Sequence, residues 1–314
     1  MARYIVKRIL LLIPVIIAVS LLVFIMMDMA PGDLFDVMGG DFSPEVIQQM
    51  KHDMGYDRSV FYRYFLYIRN LVQGNLGMSY TYKQPVWELY QQRLPNTIIL
   101  AVAGLILALI VAIPLGMLAS LKAGSLVDNF SMAAALIGVS MPNFWCGLML
   151  ILLFSLKLKL LPSGGFDEGL RSLILPAFTV AIHLLGLLTR TTRSSMLDTI
   201  RQDYLDTARS KGVAEKTVIW KHAFRNALIP IITVAGTQLG ACIGGAVVTE
   251  TIFTWPGVGR LTIDAVNSRD TTLVTGCIIM TTFLVSVLML LVDLLYALVD
   301  PRIKARYARG RSRR

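Results

Sequence analysis

The sequence predicts an all-α membrane protein: six transmembrane helices, an extracytoplasmic segment after the first, and a long cytoplasmic loop between the fourth and fifth. Of its 314 residues 55% are hydrophobic and only 16% charged, more apolar surface than one soluble core can hide. Six apolar runs also reach the roughly 20 residues that a helix needs to cross a bilayer, and a helix satisfies its own backbone polar groups there. The basic residues are the third sign, because they gather in short stretches between those runs.

The runs are 9–29, 97–120, 130–156, 173–189, 229–253 and 273–299. The first follows Arg3, Lys7 and Arg8 and resembles a secretory signal, but its apolar stretch exceeds the usual 7 to 15 residues. It is expected to remain as an uncleaved span. The fourth is the shortest and carries Pro176 and His183.

Flanking cations stay in the cytoplasm, and alternation through six spans then assigns every loop a side. Segments assigned to the cytoplasm hold 19 Lys and Arg; those assigned to the other side hold 11, matched by 11 acidic residues. Both termini are thus expected inside, in a multi-pass membrane protein. The tail contributes Arg302, Lys304, Arg306, Arg309, Arg311, Arg313 and Arg314 directly after the last span, which fits contact with anionic lipid of the bilayer. The net charge of +10 is therefore explained by topology, and no nucleic-acid partner is expected.

Two connections are too long to be simple links. The first, 30–96, is expected outside: a Pro31-Gly32-Asp33 turn, a helix start at Ser43-Pro44-Glu45, then a helix at 60–72 carrying Phe61, Tyr62, Tyr64, Phe65 and Tyr67. Such aromatics suit a small cap resting on the spans, the membrane interface or the docking of a soluble partner. The second, 190–228, is expected inside as two helices broken at Gly212. Met196, Ile200, Tyr204 and Ala208 recur at intervals of four, one face of a helix. That face fits another protein's groove or the bilayer surface equally well.

The run Asp203-Tyr204-Leu205-Asp206-Thr207-Ala208-Arg209-Ser210-Lys211-Gly212, followed by His222-Ala223-Phe224-Arg225-Asn226-Ala227-Leu228-Ile229-Pro230, resembles the cytoplasmic "EAA" loop of ABC importer permeases. The longer form is similar to that of the dipeptide, oligopeptide and nickel permease family. Asp206 stands where the name-giving Glu would be, and Thr207 where its first Ala would be. Further blocks resemble that family along nearly the whole chain, among them Gly74-Asn75-Leu76-Gly77, Ser140-Met141-Pro142-Asn143-Phe144-Trp145, Thr192-Arg193-Ser194-Ser195-Met196, Glu250-Thr251-Ile252-Phe253-Thr254-Trp255-Pro256-Gly257-Val258-Gly259-Arg260 and Asp300-Pro301-Arg302.

The resemblance implies a MetI-like permease fold in three parts: the first helix with its extracytoplasmic region (1–96), a five-helix permease core (97–300), and the basic tail (301–314). It also implies coupling through Asp203, Tyr204, Thr207, Ala208, Arg209, Lys211 and Gly212, whose helix enters a cleft on an ATPase subunit. The implied partners are a second homologous permease subunit, two cytoplasmic ATPases that bind ATP and Mg, and an extracytoplasmic solute-binding protein. No cofactor is implied on this chain, and its sequence contains no G-x-x-x-x-G-K-[ST] phosphate loop.

In the fifth span Gly236, Gly240 and Gly244 repeat every four residues and leave a smooth ridge, with Thr233, Thr237 and Gln238 nearby. Helix packing explains the ridge as well as a translocation path does; the resemblance tips the balance to the path. His183 is expected to be a packing residue, since no second ligand lies near it in sequence. Cys146, Cys242 and Cys277 lie inside apolar runs without metal or disulfide spacing, and the 15 Met residues are bilayer-compatible filler.

Two rival classes find little support. An ion-coupled secondary transporter calls for mid-span charge relays and repeated halves, and an intramembrane enzyme calls for H-E-x-x-H, G-x-S-x-G or paired carboxylates. Cargo is the open question. Peptides are expected first, with nickel or a metal chelate as the alternative.

Overall fold

The computed structural model describes residues 2–29, 44–53 and 57–299. The expected turn at Pro31, the cap at Ser43 and the basic tail lie outside these residues. In chain order the helices are α1 (Ala2–Met29), α2 (Pro44–Asp53), α3 (Val60–Val72), α4 (Val86–Leu121), α5 (Leu126–Ser140), α6 (Asn143–Leu150, continued by a π-helical stretch Ile151–Lys157) and α7 (Leu170–Ile200). They are followed by α8 (Asp203–Ser210), α9 (Glu215–Thr217, continued by a π-helical stretch Val218–Ala223), α10 (Phe224–Gly245), α11 (Val247–Ile252), α12 (Val258–Asn267) and α13 (Thr271–Val299).

Five stretches are single helices, or continuous helical runs, long and apolar enough to cross a membrane: Leu10–Met29, Val86–Leu121, Leu170–Ile200, Glu215–Gly245 and Thr271–Leu294. The third predicted span is different. It is the pair α5 and α6, bent by 99° between Ser140 and Asn143. The cause is local: Pro142 has no N–H to donate and drives the residue before it out of helical geometry, and Met141 is indeed extended at φ −74°, ψ 129°. The fourth span is longer than its apolar run, because α7 continues through Arg190 and Arg193 to Ile200. The fifth breaks at Ala246, so 229–253 is two helices instead of one.

The described residues gather into two compact units, one of those within 2–97 together with Pro256–Ser286, the other of Ile98–Trp255 together with 287–299. In the first, Val86, Leu89 and Tyr90 of α4 pack with Val258, Leu261 and Ala265 of α12 and Leu273, Val274 and Cys277 of α13. Asp270 is fully buried there. Its carboxylate accepts from Leu273 N at 3.0 Å, capping α13, and from Ser79 Oγ at 2.6 Å and Thr81 N at 3.1 Å, pinning the turn before α4. The aromatic helix α3 lies on α1: the Tyr64 hydroxyl donates to Ile17 O at 2.9 Å and shares a 2.9 Å hydrogen bond with Ser20 Oγ, and Arg63 pairs with Asp28.

In the second unit α5 and α10 both pack along α7. Small residues permit the approach. A Cβ at Gly186 would collide with the carbonyl oxygen of Ala135, and one at Gly116 would stand 2.6 Å from Thr192 Cβ and 2.7 Å from Thr189 O. Close backbone contact of this kind is how helices associate where lipid removes the hydrophobic drive. Around these crossings Leu100, Ala108 and Ala112 meet Ala177, Ala181, Leu184, Leu188 and Trp255.

Candidate functional site

The loop between α7 and α10 folds as a short helix on a hydrophobic bed. At the end of α7, Arg201 leaves the helix and Gln202 is extended (φ −88°, ψ 138°), so α8 starts afresh at Asp203. The single ridge expected from Met196, Ile200, Tyr204 and Ala208 is therefore split. Met196 and Ile200 belong to α7, Tyr204 and Ala208 to α8, and the restart changes the phase between them. The residue that α8 buries is Leu205, fully enclosed with Met117, Met196, Val218, Ala223 and Ala227. Tyr204 is 42% exposed.

Polar contacts fix α8 on this bed. The Tyr204 hydroxyl accepts from Asn226 Nδ2 at 2.6 Å and donates to His222 O at 3.3 Å. Arg209 donates from Nε and Nη2 to the two oxygens of Glu215 at 3.1 and 3.0 Å, and from Nη1 to Asp206 at 2.9 Å. Thr207 Oγ1 bonds back to Asp203 O at 3.2 Å.

The helix ends at Gly212. There Gly212 N donates to Arg209 O at 2.9 Å and Val213 N to Ala208 O at 3.3 Å. These are the two reversed bonds of a Schellman cap, and they require the positive φ of 76° that Gly212 adopts. Asp203, Thr207 and Lys211 project outward and exposed, and Ala208 is half-buried against the bed. All seven sequence-predicted coupling residues thus fall on one short helix and its cap. Sequence reasoning missed Leu205, Asn226 and Glu215. The first lay one position from the chosen ridge, and the other two become partners only when the chain doubles back.

Of the six residues considered for a translocation path, three line one or other of two cavities in the second unit, and Thr237, Gly240 and Gly244 line neither. Thr233 and Gly236 line an apolar cavity of about 310 Å³ with Leu105, Leu109, Ile232 and Val292. A Cβ on Gly236 would meet both methyls of Val292 at 2.8 Å, which makes that glycine a helix-packing contact. Gln238 lines the other, of about 200 Å³, with Asn143, His183, Cys242 and Thr249. Thr233 and Thr237 bond to carbonyls of their own helix, Ile229 O at 2.9 Å and Val234 O at 2.8 Å. Gly240 is buried and Gly244 exposed. Among the described residues no three His, Cys, Asp or Glu side chains are grouped to hold a metal ion.

Comparison with known proteins identifies the machinery. Residues 112–305 match the family described as the binding-protein-dependent transport system inner membrane component, and residues 1–101 match its N-terminal family model. The oligopeptide transport system permease protein AppB of Bacillus subtilis is 41% identical over 97% of this chain and 100% of its own length. The dipeptide transport system permease protein DppB of Escherichia coli is 38% identical over 97% and 99%. Among solved structures, a chain of the inward-facing MetNI methionine ABC transporter superposes with a TM-score of 0.58 at 15% identity, covering 68% of this chain and 96% of that one. This likeness carries the fold: an all-α membrane protein of the MetI type. From family match, full-length relatives and fold together, the chain belongs to the inner-membrane-component family of binding-protein-dependent transport systems.

Proposed function

We propose that the chain forms half of the translocation pathway of an ATP-driven importer, and that its cargo is peptides delivered by an extracytoplasmic binding protein. The observation that carries the coupling half is α8, an exposed helix seated by one buried leucine and closed by a glycine cap. Such a helix moves as a rigid piece. Its outward residues Asp203, Thr207 and Lys211, beside Tyr204 and Arg209, are offered to a partner's cleft. The peptide half draws on the relatives, which act on oligopeptides and dipeptides.

In this reading both termini and the α8 loop are cytoplasmic, a second homologous permease completes the pathway, and two ATPase subunits bind ATP and Mg. Closure of the ATPases pushes α8 and, through Leu205 and Met196, the end of α7. The attached spans then exchange inward-open for outward-open states. The ridge of Gly236, Gly240 and Gly244, with Thr233, Thr237 and Gln238, belongs to the fifth span that borders this pathway.

The test is reconstitution of the four-component importer in vesicles. Peptide-loaded binding protein is expected to stimulate ATP hydrolysis and drive accumulation of labelled peptide. Uptake of nickel in place of peptide, or accumulation driven by an ion gradient without ATP, would contradict the proposal.

A further inference from the structure

The cavity that contains Gln238 has a chemistry that packing does not explain. It lies among α6, α7, α10 and α11, and is lined by Asn143, Val180, His183, Leu184, Gln238 and Cys242 with Ala241, Gly245, Ala246 and Thr249. The α10 contributors recur at intervals of three and four, so one face of that helix is turned to the cavity. On α7 Val180, His183 and Leu184 do the same. The bend at Pro142 supplies the third wall, because it brings the first residue of α6, Asn143, to the same place.

Among the described residues no hydrogen bond engages the side chains of Asn143, His183 or Gln238, and all three stay accessible: Asn143 is exposed, His183 and Gln238 are half-buried. Polar side chains in a membrane-spanning bundle normally face a partner, water or a passing ligand, because bare hydrocarbon offers them no hydrogen bond. Three large polar side chains accessible around one space, in a unit otherwise packed with apolar residues, mark a place where something polar is received. The lining holds no Asp, Glu, Lys or Arg, so that something is neutral.

We propose that this cavity is a subsite for the peptide main chain, where the carboxamides of Asn143 and Gln238 and the imidazole of His183 exchange hydrogen bonds with the amide groups of the cargo. The inference rests on the peptide-importer reading and deepens it. Carboxamides present a donor and an acceptor side by side, as a peptide bond does, and a neutral imidazole presents one of each. Main-chain amides are the part of a peptide that does not vary, so a carrier of mixed sequences gains by holding those. The volume fits: about 200 Å³ is roughly that of six or seven water molecules in the liquid, room for a stretch of main chain but not a whole peptide. Ala241, Gly245 and Ala246 keep one wall low, where side chains of different size can pass.

Gly245 supplies a clean probe, because a Cβ built there meets nothing within 4 Å. The experiment compares the wild-type importer, Gly245→Leu and the double variant Asn143→Ala/Gln238→Ala in vesicles, reading peptide accumulated per ATP hydrolysed. It uses a tripeptide and an analogue N-methylated on its main chain, both matched for affinity to the binding protein. In the wild type the methylated analogue is expected to be carried about fivefold less well or worse, the range that loss of a neutral hydrogen bond spans. Both variants should carry the plain peptide at a similarly reduced ratio, and the double variant should no longer distinguish the two. Wild-type ratios in the double variant, or an undiminished penalty for methylation there, would overturn the subsite. The double variant decides the matter alone should Gly245→Leu fail to assemble. A wild-type importer that carries no peptide would instead refute the importer reading, before any variant is compared.

Discussion

Arg193 grips Asp128 with two parallel hydrogen bonds, Nε to Oδ1 at 2.5 Å and Nη2 to Oδ2 at 2.6 Å. The pair joins the last turns of α7 to the first turn of α5, and Asp128 also accepts from Gly124 N at 2.9 Å. Asp128 keeps 3% of its side chain exposed and Arg193 28%. Since α8 follows α7 after a two-residue break, this fork fixes the base from which α8 projects.

Breaking the fork should therefore weaken the protein. Loss of one partner from a fully buried pair costs about 3–5 kcal/mol, so Asp128→Ala is expected to cost on the order of 2 kcal/mol, reduced because Arg193 is partly solvated. Thermal unfolding of the purified importer, followed by intrinsic fluorescence, checks this. An unchanged midpoint would show that the fork contributes nothing.

Leu205 is the anchor of α8. Leu205→Ala should destabilise its seat by about 2–5 kcal/mol, while Leu205→Met, nearly equal in volume, should cost less than about 1.5 kcal/mol. In the assembled importer the alanine variant is expected to lose stimulation of ATP hydrolysis by loaded binding protein, and the methionine variant to keep it. Equal behaviour of the two would remove Leu205 from the coupling path.

Gly212 is needed for its backbone. With φ at 76°, an alanine there should cost about 1 kcal/mol. Gly212→Pro is worse, because it removes the N–H that bonds Arg209 O and fixes φ near −65°. The proline variant should insert in the membrane normally yet take up less peptide per ATP. Uptake at the wild-type ratio would mean that the cap can be remade.

Glycines of the helix bundle should discriminate by position, Gly186 on α7 being a close contact and Gly245 on α10 facing open space. Gly186→Ala sets a methyl against the Ala135 carbonyl oxygen, a backbone atom that cannot turn away, and should lower the yield of folded protein severalfold. Gly245→Ala, which meets open space, should not. Yields of monodisperse protein after detergent extraction make the comparison.

Much of this architecture was legible in the chain. The 60–72 helix was placed to the residue by its aromatic run, because the Ser59 cap and the polar turn after Val72 bound it sharply. Hydropathy found the six apolar runs but is blind to direction, so the 99° bend escaped it, although Pro142 was in plain view. The period-four ridge through Met196 and Tyr204 failed for a related reason: a periodicity persists across a break that resets the helix phase. Asp128 and Arg193 lie 65 residues apart, and His183 looked solitary for the same cause. Its companions Asn143 and Gln238 come from other helices, brought together only by tertiary packing.

The coupling role of α8 can be tested at a single residue. A photo-reactive benzophenone side chain at position 207, exposed on α8, should crosslink to an ATPase subunit in the assembled importer, with a yield that changes between ATP-bound and nucleotide-free states. A residue that crosslinks only to lipid or to the binding protein would place α8 away from the ATPases and contradict the account.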